Sequence, residues 1–225
     1  MPTSRALVLR AVPALLATLA MDRAEGSCAE PTPNPSGEFE PYFKTEEVDV
    51  KILRSPSREP WIRTEFVIAA PAETVYAVIA DFRDYEAIFS REVSEANIIQ
   101  HTPEVTVLHL VWAMPFPFSE RDAVVAYRAE RCTDGVFRIS WRHKEQSGNI
   151  PTKGVRIAKV EGETLIRADG DNRCRVTYTY YRDLGGRLAK WMKEHAWRRE
   201  PVKYHEAIQR ALSPSAYPAG GPSRR

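Results

Sequence analysis

Apolar and polar positions alternate early in the chain. Val48, Val50 and Ile52 are separated by charged residues, and Ile62, Thr64, Phe66 and Ile68 repeat the two-residue period, so both stretches are predicted as half-buried strands. The second run stops at Ala70-Pro71. Proline suits the first turn of a helix, where its missing N–H has no partner to lose. In PAETVYAVIADFRDYEAIF, Val75, Val78, Ile79 and Phe82 recur at helical spacing, which predicts one or two short helices over the sheet. Further strands are predicted at 93–101, 105–113, 121–131, 136–143, 154–160, 163–168 and 174–182. Gly135, Gly162 and Asp169-Gly170-Asp171-Asn172 stand between them as turn formers. After Gly185-Gly186 the period changes for good. Leu188, Trp191, Met192, His195, Val202, His205, Ile208 and Leu212 form an approximate stripe over 187–212, a long helix that Pro201 should kink or divide.

This element order predicts an α+β protein. A sheet of seven or eight antiparallel strands, about the size at which sheets close, must curl, and its concave face needs a cover. The final helix is the only large apolar element left, and at 1.5 Å per residue it would span about 39 Å, enough to cross that face. Between the curved sheet and the long C-terminal helix lies either a packed core or a hydrophobic cavity.

Composition narrows the picture. The chain has 225 residues, 32 Lys and Arg against 30 Asp and Glu, a net charge of +2, and 43% hydrophobic residues. It is long enough to bury a core without metal or disulfide staples, and too nearly neutral for a protein whose main task is coating nucleic acid. Three cysteines exclude a disulfide scaffold. No run reaches the roughly 18 apolar residues that span a bilayer.

The ends differ from the middle. Residues 1–29 carry Arg5 and Arg10, an apolar stretch from Ala11 to Met21 and a small triplet Ser27-Cys28-Ala29, the pattern of a secretory signal peptide; a non-cleaved N-terminal arm is the alternative. Cleavage would place the protein in the periplasm or outside the cell; otherwise it is cytoplasmic. Residues 30–41 are rich in proline and read as a flexible linker, and 213–225 as a disordered tail. One domain is expected over 42–212.

Three segments of that domain resemble a known family. The stretch from VDVKILRSPSREPWIRTEF to DFRDYEAIF is similar to the opening strands and proline-started helix of the START lipid-binding family, within the helix-grip fold group. VLHLVWAMPFPFSERDAVVAYRAER resembles its aromatic, proline-rich loop leading into Arg-Asp and a strand. CRVTYTYYRDLGGRLAKWMKEHAW resembles its last strand, corner and closing helix. Two positions depart: Phe89 stands where tryptophan is usual, and Leu184 replaces a proline common between Asp183 and Gly185. The resemblance implies a cavity under the C-terminal helix that binds a lipid or other apolar ligand, with transfer between membranes in some members. Related helix-grip proteins include aromatase/cyclase enzymes and hormone receptors, so fold alone does not assign function.

Candidate ligand-binding residues follow from both lines. Arg121-Asp122 opens a strand, and only one of the two can face inward. That pair either orients a ligand head group or pins the preceding loop. Trp112, Met114, Phe116 and Phe118 cluster around the prolines at 115 and 117, which push the segment out of a central strand. His109 shares a face with Val107 and Val111, as a core or cavity-wall residue. Trp191, Met192 and His195 are expected to share one helix stripe. The histidines form no metal motif, no catalytic dyad stands out, and no cofactor is expected. Cys132 and Cys174, at separate strand ends, are expected as free thiols. The helix region 187–212 carries seven Lys or Arg and three Glu, a local +4 that suits transient contact with an anionic membrane surface. The expectation is a monomeric, non-enzymatic carrier or sensor of an apolar ligand. The alternatives are a cyclase-like enzyme on the same fold and a protein-interaction module with a filled cavity.

Overall fold

The computed structural model describes residues 35–213 apart from 57, 146–149, 158 and 187. The expected signal peptide at 1–29, the first part of the expected linker at 30–41 and nearly all of the expected tail lie outside the described residues. Ten strands form one sheet: β1 (Glu40–Lys44), β2 (Val48–Ser55), β3 (Arg58–Ile68), β4 (Val93–His101), β5 (Thr106–Trp112), β6 (Arg121–Arg131), β7 (Val136–His143), β8 (Val155–Arg156), β9 (Lys159–Ala168) and β10 (Cys174–Asp183). Three helices accompany them, α1 (Ala72–Ile79), α2 (Tyr85–Ile88) and α3 (Lys190–Leu212). The order across the sheet is β1-β2-β3-β10-β9-β7-β6-β5-β4, with antiparallel neighbours throughout. The two-residue β8 pairs parallel with the start of β6, where β7 has ended.

Side-chain parity assigns the two faces. Thr64, Phe66 and Ile68 of β3, Leu108, Leu110 and Trp112 of β5, and Val176, Tyr178 and Tyr180 of β10 point to the side that α3 covers. The ladder between β4 and β5 shifts register at Val93/Glu95 and again at Ile98/Gln100. Such bulges add an unpaired residue and bend the strand, which helps the sheet curl around the helix. α1 begins directly after Pro71 and buries Ala72, Val75 and Ile79 against the same core.

The expected strands and helices are present, with informative differences. Gly162 lies inside β9, not in a turn, and joins 163–168 to the last two residues of the expected 154–160 strand, whose 155–156 form the separate β8. A Cβ there would stand 2.5 Å from both the Thr179 carbonyl oxygen and the Trp141 ring, so glycine makes room for the indole. β1 is a strand that the alternation pattern does not announce. Cys174 is free and buried, its thiol pushed up to about 11 by burial, but Cys132 is disulfide-bonded, against the expectation of two free thiols. No helix among the described residues is long and apolar enough to cross a membrane.

Candidate ligand-binding cavity

α3 runs unbroken through Pro201, but the parts before and after it are held by different forces. From Pro201 onward it buries Tyr204, His205, Ala207 and Ile208, whereas before it only Met192 is buried. The first half is tied down by charge instead, through Lys193 to Glu59 and Glu200 to Arg182. Between this helix, α2 and the strands β5 to β10 lies a space lined by fourteen residues, half of them aromatic. The space between lining atoms, mouth included, is about 620 Å³, but only about 50 Å³ is open to the centre of a water-sized molecule. That admits a few waters and falls far short of a lipid.

Aromatic rings account for the difference. Tyr85 lies 4.7 Å from Phe89, Phe89 5.4 Å from Tyr204, and Tyr204 4.0 Å from Tyr178, centroid to centroid. Tyr178 stands 5.6 Å from Trp141, Trp141 6.0 Å from Tyr127, and Tyr127 5.7 Å from Tyr85, which closes the circuit. All of these separations but that of the closer-stacked Tyr204–Tyr178 pair fall in the range where ring quadrupoles attract. The hydroxyls are paired at the edges: Tyr85 with Tyr127 at 3.1 Å, Tyr204 with Thr164 at 2.9 Å. Burial raises the pKa of all four cavity tyrosines, so they remain neutral hydrogen-bonding groups.

One charged pair crosses the cavity. Arg182 Nη2 and Nη1 donate to Glu200 Oε1 and Oε2 at 2.7 and 3.1 Å, and Tyr178 donates to Glu200 Oε1 at 3.2 Å. The guanidinium carbon lies 4.6 Å from the Trp112 ring centroid. Burial alone would lower the Arg182 pKa; Glu200 and the surrounding tyrosines outweigh it and hold the cation firmly charged. At the mouth, Glu92 stands 3.1 Å from Lys203.

Of the residues singled out from sequence, Trp112 lies on the cavity wall and the others lie elsewhere. Asp122 and His109 point to the opposite face of the sheet. There Asp122, with no exposed surface, receives His109 Nε2 at 2.8 Å, Arg156 Nε at 2.9 Å, Arg156 Nη2 at 2.7 Å and the Lys153 backbone N–H at 3.1 Å. Burial would raise the Asp122 pKa, but these donors together lower it. Arg121 donates to the carbonyls of Leu184 and Ser119, which ties the strand start to the corner before α3. The pair pins loops. Met114 and Phe118 are half-buried on the loop 113–120 and Phe116 is almost fully exposed. Met192 is buried while Trp191 and His195 are exposed, so these three do not share a stripe, and it is Trp197 that packs on the core.

The residues that build the cavity carried a readable signal. Tyr178, Tyr180 and Arg182 alternate along β10, which flags Arg182 as a charge on an inward face. Phe89, noted as a departure from the family pattern, is one of the stacked rings. Glu200 had no such mark, because helix periodicity does not say which acid turns inward. Among the described residues no cluster of three or more His, Cys, Asp or Glu could hold a metal ion.

A curved antiparallel sheet gripping one long C-terminal helix over an aromatic-lined interior defines a helix-grip domain. Residues 68–200 match the family model described as polyketide cyclase / dehydrase and lipid transport, and the chain belongs to that family. It is similar to START domain-containing protein 10 of Homo sapiens and of Mus musculus, 26% identical over 125 residues, which is 54% of this chain and 42% of each relative. The chain thus aligns with less than half the length of those relatives. Among solved structures it resembles a STAR-related lipid transfer protein from Xanthomonas axonopodis, with a TM-score of 0.67 at 20% identity over 76% of this chain and 96% of that one. Human StAR-related lipid transfer protein 5 gives 0.69 at 19%, covering 79% and 88%. An aromatase/cyclase from a Streptomyces, Zhui, gives 0.53 at 17%, covering 72% and 97%. The fold is therefore shared by lipid-transfer proteins and by cyclases.

Proposed function

We propose that the protein is a non-enzymatic carrier or sensor that holds a lipid or other apolar ligand between the sheet and α3. The observation that carries this reading is the closed circuit of six packed aromatic rings, some stacked and some tilted, lining an interior space rather than an aliphatic core packed solid. Rings turn about two side-chain bonds and can open a slot for a planar apolar body. Each ligand methylene withdrawn from water contributes roughly 0.8 kcal/mol. Entry requires the first half of α3 to lift, and that half is the one held by ion pairs.

A cyclase-like reading has one foothold, the Tyr85–Tyr127 hydroxyl pair at the cavity wall. Burial raises both pKa values, which suits hydrogen-bond donation and makes them poor general acids near neutral pH. The carrier reading is preferred for that reason. Exposed Phe116 and Trp191, with the basic residues along α3, fit transient contact with an anionic membrane surface during transfer. Export rests on the N-terminal segment alone, and the N-terminal residue of the mature protein tests it.

Extraction of natively purified protein followed by mass spectrometry is the direct test. A co-purifying molecule near one per chain is expected. If none is found and hydrophobic fluorophores also fail to bind, the carrier reading gives way to a protein-interaction module with a filled interior.

A further inference from the structure

Arg182 and Glu200 form an ion pair on a wall that, apart from Glu92, is otherwise aromatic and aliphatic. Their side chains are 15% and 16% exposed. Removing two charges from water costs more than packing apolar groups of the same size, so such a pair is poor value for stability alone. The pair helps fasten α3, yet the other inward positions of β10, Cys174, Val176, Tyr178 and Tyr180, carry no charge.

The geometry of the pair leaves a specific opening. Glu200 occupies the two terminal nitrogens of the guanidinium, and Trp112 lies 4.6 Å from its central carbon. Nε–H is shielded from solvent and has no hydrogen-bond partner. One donor is therefore unmet beside the cavity. The charges around it balance: Arg182 against Glu200, and Glu92 at the mouth against Lys203. A ligand with one acceptor oxygen would satisfy the donor without disturbing that balance. A carboxylate or phosphate would add a negative charge in a site where Glu200 has already taken the cation, and two carboxylates would face it.

We infer that Glu200 is a specificity-determining residue: by neutralising Arg182 it makes the cavity select neutral apolar ligands carrying a hydroxyl, ketone or ester oxygen, and reject anionic ones. This rests on the reading that the cavity holds an apolar ligand at all. The neutral oxygen accepts the Arg182 Nε–H, while the rings enclose the apolar body.

The test uses the full chain and a matched fluorescent series at neutral pH: pyrene, pyrenebutanol, methyl pyrenebutyrate and pyrenebutyrate. Hexadecanol, methyl palmitate and palmitate serve as straight-chain competitors. Wild type should bind the alcohol and ester about ten-fold or more tighter than the carboxylate, because a like charge in a desolvated site is strongly disfavoured. E200Q should raise carboxylate affinity by about ten-fold while changing alcohol affinity little, since it frees the cation. R182Q should erase the advantage of the alcohol over plain pyrene. Equal wild-type affinity for alcohol and carboxylate overturns the inference, and that comparison needs no variant to fold. An E200Q protein that melts near wild type yet gains no carboxylate affinity overturns it as well. Binding of neither series by wild type instead overturns the cavity reading on which it stands.

Discussion

Asp122 keeps a full charge with no exposed surface, and it does so because four donors converge on it from His109, Arg156 and the Lys153 backbone. Replacing one partner of such a cluster leaves the others desolvated and under-compensated. Asp122→Asn is expected to cost roughly 3 kcal/mol in denaturant unfolding and to speed amide exchange along 150–157, with a smaller effect on cavity binding. His205 acts through pH. It packs 5.0 Å from the Phe66 ring, with Gln209 at 2.9 Å, and burial lowers its pKa while Glu47 and Glu206 pull the other way. The folded protein thus favours the neutral ring. Above the ordinary value of 6.5 the ring is neutral folded or unfolded; below it the unfolded chain takes up a proton that the native state resists, and stability falls until the native ring protonates too. His143, also lowered by burial, acts in the same direction. The melting temperature should drop between pH 7 and pH 5, and H205Q should remove only the His205 share of that drop. A pH profile unchanged by H205Q would contradict this account.

α3 shows how much a sequence pattern says about an element and where it stops. Its existence and approximate length follow from helical periodicity, whereas Pro201, expected to kink or divide it, lies inside one unbroken helix. The sheet was equally legible, because half-buried strands write their two faces in alternate residues. The cavity was less so. The aromatic loop at 114–118, expected to bind ligand, lies off the cavity, whereas Tyr127, Trp141, Tyr178 and Tyr204, which no motif singles out, line it. A ring in a core and a ring on a cavity wall obey the same pattern; only curvature, a tertiary property, separates them. The two halves of α3 also differ in a way that composition hides. Pro201 has no N–H to give the Trp197 carbonyl, and the first half is fastened by Lys193–Glu59 and Arg182–Glu200 rather than by apolar burial. Amide exchange should therefore be faster over 190–200 than over 202–212, and faster still at high salt, which weakens the partly exposed pair more than the buried side chains. P201A, which restores a backbone donor, should slow association and release of a bound fluorophore in stopped flow more than it alters the dissociation constant. Equal exchange in both halves would show that α3 moves as one rigid unit.

At the scale of the molecule, the near-neutral net charge conceals a division of labour between the two faces of one sheet. On the outer face Asp122 with Arg156 holds the segment beside β6, while Arg121, on the cavity-side parity of the same strand, holds the corner that leads into α3. The inner face sets the Arg182–Glu200 pair among rings, and the 50 Å³ left there is space that a well-packed core of this size would have closed. A native state built this way gives up part of its own packing to contacts that a ligand can supply. Ligand binding should then stabilise the fold directly, because the unfolded chain has no such site. At a free ligand concentration one hundred times its dissociation constant, linkage gives about 2.7 kcal/mol, and for a domain of this length that corresponds to roughly 5–10 °C in melting temperature. The shift should grow with the logarithm of ligand concentration, and it should follow the neutral pyrene alcohol rather than the carboxylate. A fluorophore that brightens on mixing but leaves the melting temperature unmoved is bound to the exposed Phe116 and Trp191 surface, and the interior then plays no part in holding it.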